Sequence, residues 1–346
     1  MTSEQVDKLL STFRSSEGGE RTSVTETHIS WVILAGGDVY KIKKPLHLHF
    51  LDFSTLEQRK FYCEKELALN RRLTEGIYLD VLPVVDGPEK ISIGYGPGEV
   101  MDYGSQEGGG CDIQEVIDYA VHMRRMEDGR RMDKLLKAGE VTHADMEMLA
   151  GRIAAFHKTA DIIRHKDPRD IPGKFADLRS EEEFLGAGSS IREAIGISDT
   201  FSEAHCKRVK ERIAQGYTRD CHGDLHARNI FLLETPQPFD CIEFSDDLRQ
   251  IDVLNENAFL CMDLDAFGRE DLARTFVKAY QAHFPALETV EDERLFVYYK
   301  SYRANVRAKV NSLRARSAGT EGEKRAALAE AGKYLRLMNG YLRQLR

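Results

Sequence analysis

A chain of 346 residues, 42% hydrophobic and 31% charged, is long enough for two folding units, because single cores stop growing near about 250 to 300 residues. Its formal net charge of -8 and pI near 5.8 give a nucleic-acid partner no global electrostatic support. No window approaches the ~18 apolar residues of a membrane span, and the N-terminal MTSEQVDKLL lacks a basic region followed by an apolar core, so a cytoplasmic protein with no membrane partner is expected.

In chain order, residues 3 to 14 place Val6, Leu9, Leu10 and Phe13 on one helical face, and Ser15 to Glu20 read as a flexible link. THISWVIL at 27–34 and VYKIK at 39–43 read as two strands joined through Ala35-Gly36-Gly37-Asp38, the second ending at Pro45. On that second strand Lys41 and Lys43 share one face, and Tyr40 and Ile42 the other. Ser54, with Glu57 three residues on, fits a capping box for a helix running to about Leu73. Tyr62, Glu66, Leu69 and Leu73 then form one face, so Glu66 points where apolar residues point and Glu64 does not. A carboxylate on such a face needs a cationic partner.

Val81 to Val85 and Ile91 to Ile93 flank the turn residues Asp86-Gly87-Pro88 as another hairpin, Gly94 to Gly110 read as a Gly-rich loop, and Glu115 to Met123 as a strand. From Asp133 the pattern turns helical. Thr142, three before Asp145, caps a helix through Thr159 with Met146, Leu149, Ile153 and Phe156 buried. Residues 165 to 200, polar and broken by Pro168, Pro172 and a GAGSS stretch, read as irregular: a substrate-side insertion or a connector. Residues 255 to 283 and 291 to 316 read as two helices. Lys300, Arg303, Arg307 and Arg314 form a basic stripe on the second, either a solvated face or, through Arg303 or Arg307, a contact for an anionic acceptor.

The stretch richest in chemistry is Cys221-His222-Gly223-Asp224-Leu225-His226-Ala227-Arg228-Asn229. Ile230-Phe231-Leu232-Leu233 follow it, and then, past Glu234-Thr235-Pro236-Gln237-Pro238, Phe239-Asp240-Cys241-Ile242-Glu243-Phe244. The two apolar runs read as a hairpin. In phosphoryl transfer an Asp accepts the hydroxyl proton, an Asn five residues on binds Mg²⁺, and an acid further on also binds metal; Asp224, Asn229 and Glu243 have that order and spacing. The transition state is loose, so an ordinary carboxylate suffices at 224, while the neutral carbonyl oxygen of Asn229 is a hard ligand. Cys221 beside His222 also permits a catalytic-thiol or zinc reading. The six cysteines, at 63, 111, 206, 221, 241 and 261, contain no CxxC pair, which favours individually placed thiols.

HGDLHARN resembles the HGDLHxxN loop of the aminoglycoside phosphotransferase-like kinases, a branch of the protein-kinase-like fold. WVIL, VYKIKKP, LDFSTLEQR and LNRRL are similar to an uncharacterised bacterial group within it, whose members are sometimes fused to a P-loop kinase domain. No GxxxxGK[ST] occurs here, so a stand-alone version is expected. The similarity runs from about residue 27 to 310. It implies that a lysine on the second strand holds the α and β phosphates. Spacing alone does not choose between the two; Lys41, deeper in the strand and following Val39 in a small-x-Lys pattern, is favoured over Lys43, with Glu66 as its partner. It also places the hinge that meets adenine around Met123 to Met126. LAGRIAAFH resembles the family's LAxxLAxLH helix, with His157 as a structural residue, and the segment from Asp246 resembles GDPxxDLA, with Asp252 tying the loop to the next helix and Glu256 as the second acid. Two departures stand out. No GxGxxG precedes the first hairpin, where Thr22 to Thr27 is hydroxyl-rich instead, and the usual Asp of the metal motif is Glu243, one methylene longer.

The expectation is therefore an α+β, bilobal protein-kinase-like fold: residues 1–125 a small antiparallel sheet lobe that binds nucleotide, residues 126–346 a mostly helical lobe with catalytic loop and substrate site. The expected activity is ATP- and Mg²⁺-dependent phosphorylation of a small-molecule hydroxyl. Asp224, Lys41 and Glu66 are catalytic, Lys41, Lys43, Met123, Asn229 and Glu243 meet nucleotide or metal, and Arg303 and Arg307 are candidates for the acceptor. A kinase acting on protein side chains and a nucleotide-binding pseudokinase are the alternatives.

Overall fold

The computed structural model describes residues 1–15, 22–48, 51–87, 90–94 and 115–346; the link expected at 15–20 and the Gly-rich run at 94–110 fall, beyond their first residues, outside the described residues. The chain divides into two compact units, Met1–Asp128 with Phe239–Ser245, and Gly129–Pro238 with Asp246–Arg346.

The first unit contains α1 (Ser3–Ser15), β1 (Ser23–Glu26), β2 (Ser30–Ala35), β3 (Asp38–Lys43), the two-residue strands β4 (His47–Leu48) and β5 (Leu51–Asp52), α2 (Leu56–Asn70), β6 (Tyr78–Asp86), β7 (Ile91–Ile93) and β8 (Glu115–Arg124). Six of these strands make one antiparallel sheet in the order β1-β2-β3-β8-β6-β7. The hydroxyl-rich lead-in is thus its edge strand. The β2–β3 turn is Gly36-Gly37, and Gly36 has φ 57, which a side chain would strain.

Period-two alternation on β3 decides what each face receives. Ile42 packs with Trp31, Ile33, Ala120 and the Val6, Leu9 and Leu10 stripe of α1. Val39 packs on the other face with Val121, Met123 and Cys63 of α2, and Lys41 and Lys43 share that side. The N-cap of α2 is Thr55 rather than Ser54: Thr55 accepts the Gln58 N–H, and the Ser54 hydroxyl donates to Asp52. The buried stripe of α2 is Arg59, Cys63, Glu66 and Asn70, not the face through Tyr62 and Leu69. The stripe is mainly polar, and burial is tolerated because each polar member is paired. Arg59 donates to Asp118 at 2.8 Å, and Asn70 accepts from the Cys241 N–H at 2.9 Å.

The second unit contains α3 (Met132–Ala138), α4 (His143–Thr159), α5 (Asp170–Ala176), α6 (Gly188–Gln215), β9 (Thr218–Asp220), β10 (Ile230–Phe231), β11 (Gln237–Pro238), α7 (Asp246–Arg249), β12 (Gln250–Asp252), α8 (Val253–Ala266), α9 (Glu270–His283), α10 (Val290–Arg316) and α11 (Glu321–Gln344). The Thr142–Asp145 capping box opens α4. Residues 165–200 are not irregular: α5 lies within them and α6 begins there, burying Ile191, Ala194, Ile195 and Ser198 at helical spacing. The single helix expected over 255–283 is two, broken where Gly268 adopts φ 71.

The hairpin after the HGD loop also differs. Its second strand is Gln237–Pro238, not 239–244. Pro236 and Pro238 have no N–H to extend the ladder, and Asp240 takes φ 63, which ends extended structure. No helix of the described residues is long and apolar enough to cross a membrane.

Candidate functional site

In the first unit, β3, α2 and the segment 239–245 bring two ammonium groups and three carboxylates together. Lys41 Nζ donates to Glu66 Oε1 at 2.8 Å and to Asp240 Oδ1 at 2.7 Å. Lys43 Nζ donates to Glu66 Oε2 at 2.7 Å and to Glu243 Oε1. The spacing of two on β3 makes this possible, since both lysines leave the strand on the α2 side. Their settings differ: the Lys43 side chain is 0% exposed and that of Lys41 is 14% exposed.

Burial by itself would lower Lys41, but Asp240, Glu66 and Glu243 hold its ammonium form well above the ordinary lysine range. Glu66 is held below the ordinary range: burial opposes this, and the two lysines outweigh it. Glu243 goes the other way, because burial raises it against the pull of Lys43 and the Glu66 carboxylate adds to the rise. Its Oε1 accepts from Lys43.

Sequence reasoning missed Asp240. Its side chain is 46% exposed, and among the described residues it is the one non-glycine residue with positive φ. Its N–H donates to the Tyr78 hydroxyl at 3.2 Å, and the next N–H, of Cys241, donates to Asn70. The available signal was a strand-averse Asp inside an apolar run. Met123, placed at the hinge by resemblance, has its side chain in the core beside Val39, Cys63, Ile77 and Tyr78. The sheet continues past it to Arg124, and the Arg125 N–H donates to Gly37 O at 2.7 Å.

In the second unit, β9 pairs with β12 and delivers the chain into the HGD loop. Gly223 has φ 87, so only glycine passes this point without strain. Four ties fix the loop. Glu256 of α8 accepts the His222 N–H at 2.7 Å and the Gly223 N–H at 2.8 Å. Asp263 of α8 accepts the Ala227 N–H at 3.0 Å, and Arg303 of α10 donates to Gly223 O at 3.1 Å. Helix α11, on which the sequence offered no motif, supports this frame, because the Tyr334 hydroxyl donates to Asp263 at 2.9 Å.

Held this way, Asn229 Nδ2 donates to Asp224 O at 3.1 Å and to Asp224 Oδ2 at 2.9 Å. Asn229 Oδ1 accepts no hydrogen bond from the described residues and is available to a hard cation. His226 Nδ1 accepts the Arg228 N–H, so the ring proton of the neutral imidazole is on Nε2, 3.4 Å from Asp224 Oδ2. Both neighbours address Oδ2 and leave Oδ1 open. Burial alone would raise Asp224, but the His226 ring, Arg307 and His222 hold its carboxyl well below the usual carboxylate range.

Two of the three arginines of the basic stripe, Arg303 and Arg307, are buried. Arg303 Nε donates to Asn255 Oδ1 at 2.7 Å, and its guanidinium lies 4.7 Å from the Phe259 ring centroid, so this group holds the loop rather than lining a solvated face. Arg307 Nη1 lies 3.4 Å from His226 Nε2 and its Nε has no hydrogen-bond partner among the described residues. Its charge acts on Asp224.

The loop tie assigned to Asp252 belongs to Glu256. Asp252 caps α8 through the Leu254 N–H and pairs with Arg212 through both oxygens. His157, Cys221 and Glu256 come within 4.8 Å of one another. Both Glu256 oxygens already accept loop N–H groups and His157 Nδ1 is 2.7 Å from the Tyr280 hydroxyl, so the trio is a hydrogen-bonded support.

Searched against protein families, the chain matches no family model. It is 32% identical over 330 residues to an uncharacterised protein of Mycobacterium tuberculosis and to its Mycobacterium bovis counterpart, a match covering 92% of this chain and 59% of theirs. The chain thus spans about three-fifths of the length of these relatives. Among solved structures it is similar to the GDP complex of wild-type aminoglycoside 2'-phosphotransferase-IIIa, with 13% identity, a TM-score of 0.52, and coverage of 97% of this chain and 99% of that one. It is also similar to the apo form of a thermostable mutant of aminoglycoside phosphotransferase APH(4)-Ia, with 11% identity, a TM-score of 0.50, and coverage of 95% and 98%.

Proposed function

We propose that this chain, which has the protein-kinase-like fold of the aminoglycoside phosphotransferases, is an ATP- and magnesium-dependent phosphotransferase acting on a hydroxyl of a small molecule. The observation that carries the reading is the Asp224–Asn229 pair: one ionised carboxylate oxygen left open, and five residues away one neutral oxygen left open, both on a loop tied at four points. Their chemistry fits a magnesium nucleotide. Asn229 Oδ1 is a hard neutral ligand, and Lys41 is an ammonium fixed at a partly exposed position.

Asp224 Oδ1 takes the proton of the acceptor hydroxyl as that oxygen bonds to phosphorus and ADP leaves. A strongly acidic carboxyl serves because the proton moves late. His226 and Asn229 hold the carboxylate in one orientation. Lys41, steadied by Glu66, binds phosphate oxygens. Asn229 would hold the metal through Oδ1, and the bound metal would supply neutralisation of phosphate charge.

The small-molecule acceptor is supported by the two solved structures, both of which are aminoglycoside phosphotransferases. The test is ATP turnover against sugars, amino alcohols, nucleosides and aminoglycosides, with labelled phosphate followed into filtrate or protein. Label in the filtrate with an acceptor is expected. Label only in protein favours a protein kinase, and ATP binding with no transfer favours a pseudokinase.

A further inference from the structure

Of the three carboxylates around Lys41 and Lys43, one is used by neither the sequence motif nor the proposed mechanism. Asp240 sits three residues before Glu243 and approaches Lys41 at 2.7 Å. The two carboxylates on Lys41 are not equivalent. Glu66 is 0% exposed and shared with Lys43, so moving it would take a buried carboxylate away from two ammonium groups at once. Asp240 is 46% exposed and has Lys41 as its one ion-pair partner among the described residues, so water can take it over at small cost.

Charge sharpens the contrast. With all groups ionised, two ammoniums face three carboxylates, leaving the cluster with one net negative charge. A polyphosphate approaching Lys41 must replace an anion already seated there and also meet that negative excess. The anion able to leave is Asp240. Its backbone N–H and the next are held by Tyr78 and Asn70, so the displaced carboxylate can rotate but cannot travel far. It stays close to the incoming phosphate, and two like charges at that separation are tolerated only with a cation between them.

We propose that Asp240 is the counter-ion that nucleotide phosphates displace from Lys41, and that its carboxylate makes nucleotide binding depend on a divalent cation. This rests on the reading of Lys41 as the phosphate lysine. Asp240 does not carry the proton transfer; it sets the electrostatic condition under which a nucleotide is accepted. A bare nucleotide is rejected by the same group that, once a cation is present, faces it without penalty.

The experiment is a binding titration on the full chain with ATP, once with magnesium and once with EDTA, for wild type, Asp240→Asn, Asp240→Gly and Lys41→Met. Asn tolerates the left-handed backbone and Gly prefers it, so both variants keep the local conformation, and a melting curve checks each. The wild type is expected to bind far more weakly in EDTA. Both Asp240 variants are expected to tighten binding in EDTA by about tenfold or more, shrinking the magnesium-to-EDTA ratio. A ratio unchanged from wild type in either folded variant overturns the role of Asp240. Wild-type ATP affinity in Lys41→Met, or no ATP binding by wild type in either buffer, overturns the phosphate-lysine reading itself and the proposal with it.

Discussion

Asn229 donates its side-chain amide to Asp224 Oδ2 at 2.9 Å, across the five residues that separate the two in HGDLHARN. The bond turns one carboxylate oxygen toward the carboxamide and leaves the other open, and it turns the carboxamide oxygen away. Asp224→Asn keeps the shape of the site and removes its basicity. Turnover is expected to fall by about 10²- to 10⁴-fold while ATP affinity is nearly unchanged, measured by steady-state kinetics and a nucleotide titration. Equal loss of both would contradict the assigned role.

The lysines two residues apart are expected to separate cleanly by mutation. Lys43→Met leaves Glu243 and half of Glu66 buried without a cation, which costs about 3 to 5 kcal/mol in urea denaturation. Lys41→Met leaves Glu66 paired with Lys43, so stability changes less and nucleotide affinity is what drops. A Lys43→Met variant with wild-type stability would contradict the buried pairing.

Glu256 touches neither the open Asp224 oxygen nor Asn229, yet its removal should reach both through the loop. Glu256→Ala leaves the His222 and Gly223 N–H groups without their acceptor, at about 1 to 3 kcal/mol. Amide hydrogen exchange at 222 and 223 should accelerate, and kcat should fall with ATP affinity retained. Unchanged exchange at both amides would show that the loop is held elsewhere.

Acid should loosen the second unit through Asp292. Burial alone would raise this carboxyl, but Arg208 and Arg212 hold it at about 2. Its folded value is below its unfolded one, so its contribution is complete above about pH 4 and is lost as pH falls toward 2. Asp292→Asn is therefore expected to be less stable than wild type at pH 7, by about 3 kcal/mol, with the gap closing between about pH 4 and 2 in denaturant titrations. A gap that stays constant through that window would remove the ion pairs as its cause.

What the sequence made legible is what depends on local spacing. Alternation on β3 places both lysines on one face, and the order of Asp224, Asn229 and Glu243 marks the loop. What it concealed depends on partners far along the chain. The polar stripe Arg59–Glu66–Asn70 escapes a search for apolar periodicity because its burial is made tolerable by Asp118, the lysines and the Cys241 N–H. The ion pair of Glu243 with Lys43, two hundred residues apart, has no local signal. Asp240 lay inside what read as a strand, and its significance needs a left-handed φ and the approach of Lys41 across nearly two hundred residues. Arg303 and Arg307 have the spacing of a solvated stripe, and only the packing of α10 against the HGD loop shows them to be buried.

The most direct test is magnesium-dependent transfer of the γ-phosphoryl group of ATP, followed with the wild type and Asp224→Asn side by side over a broad panel of hydroxyl acceptors. Acceptor-dependent ADP release by the wild type, abolished in the variant while ATP still binds, is the expected result. ADP release that survives Asp224→Asn undiminished would contradict it.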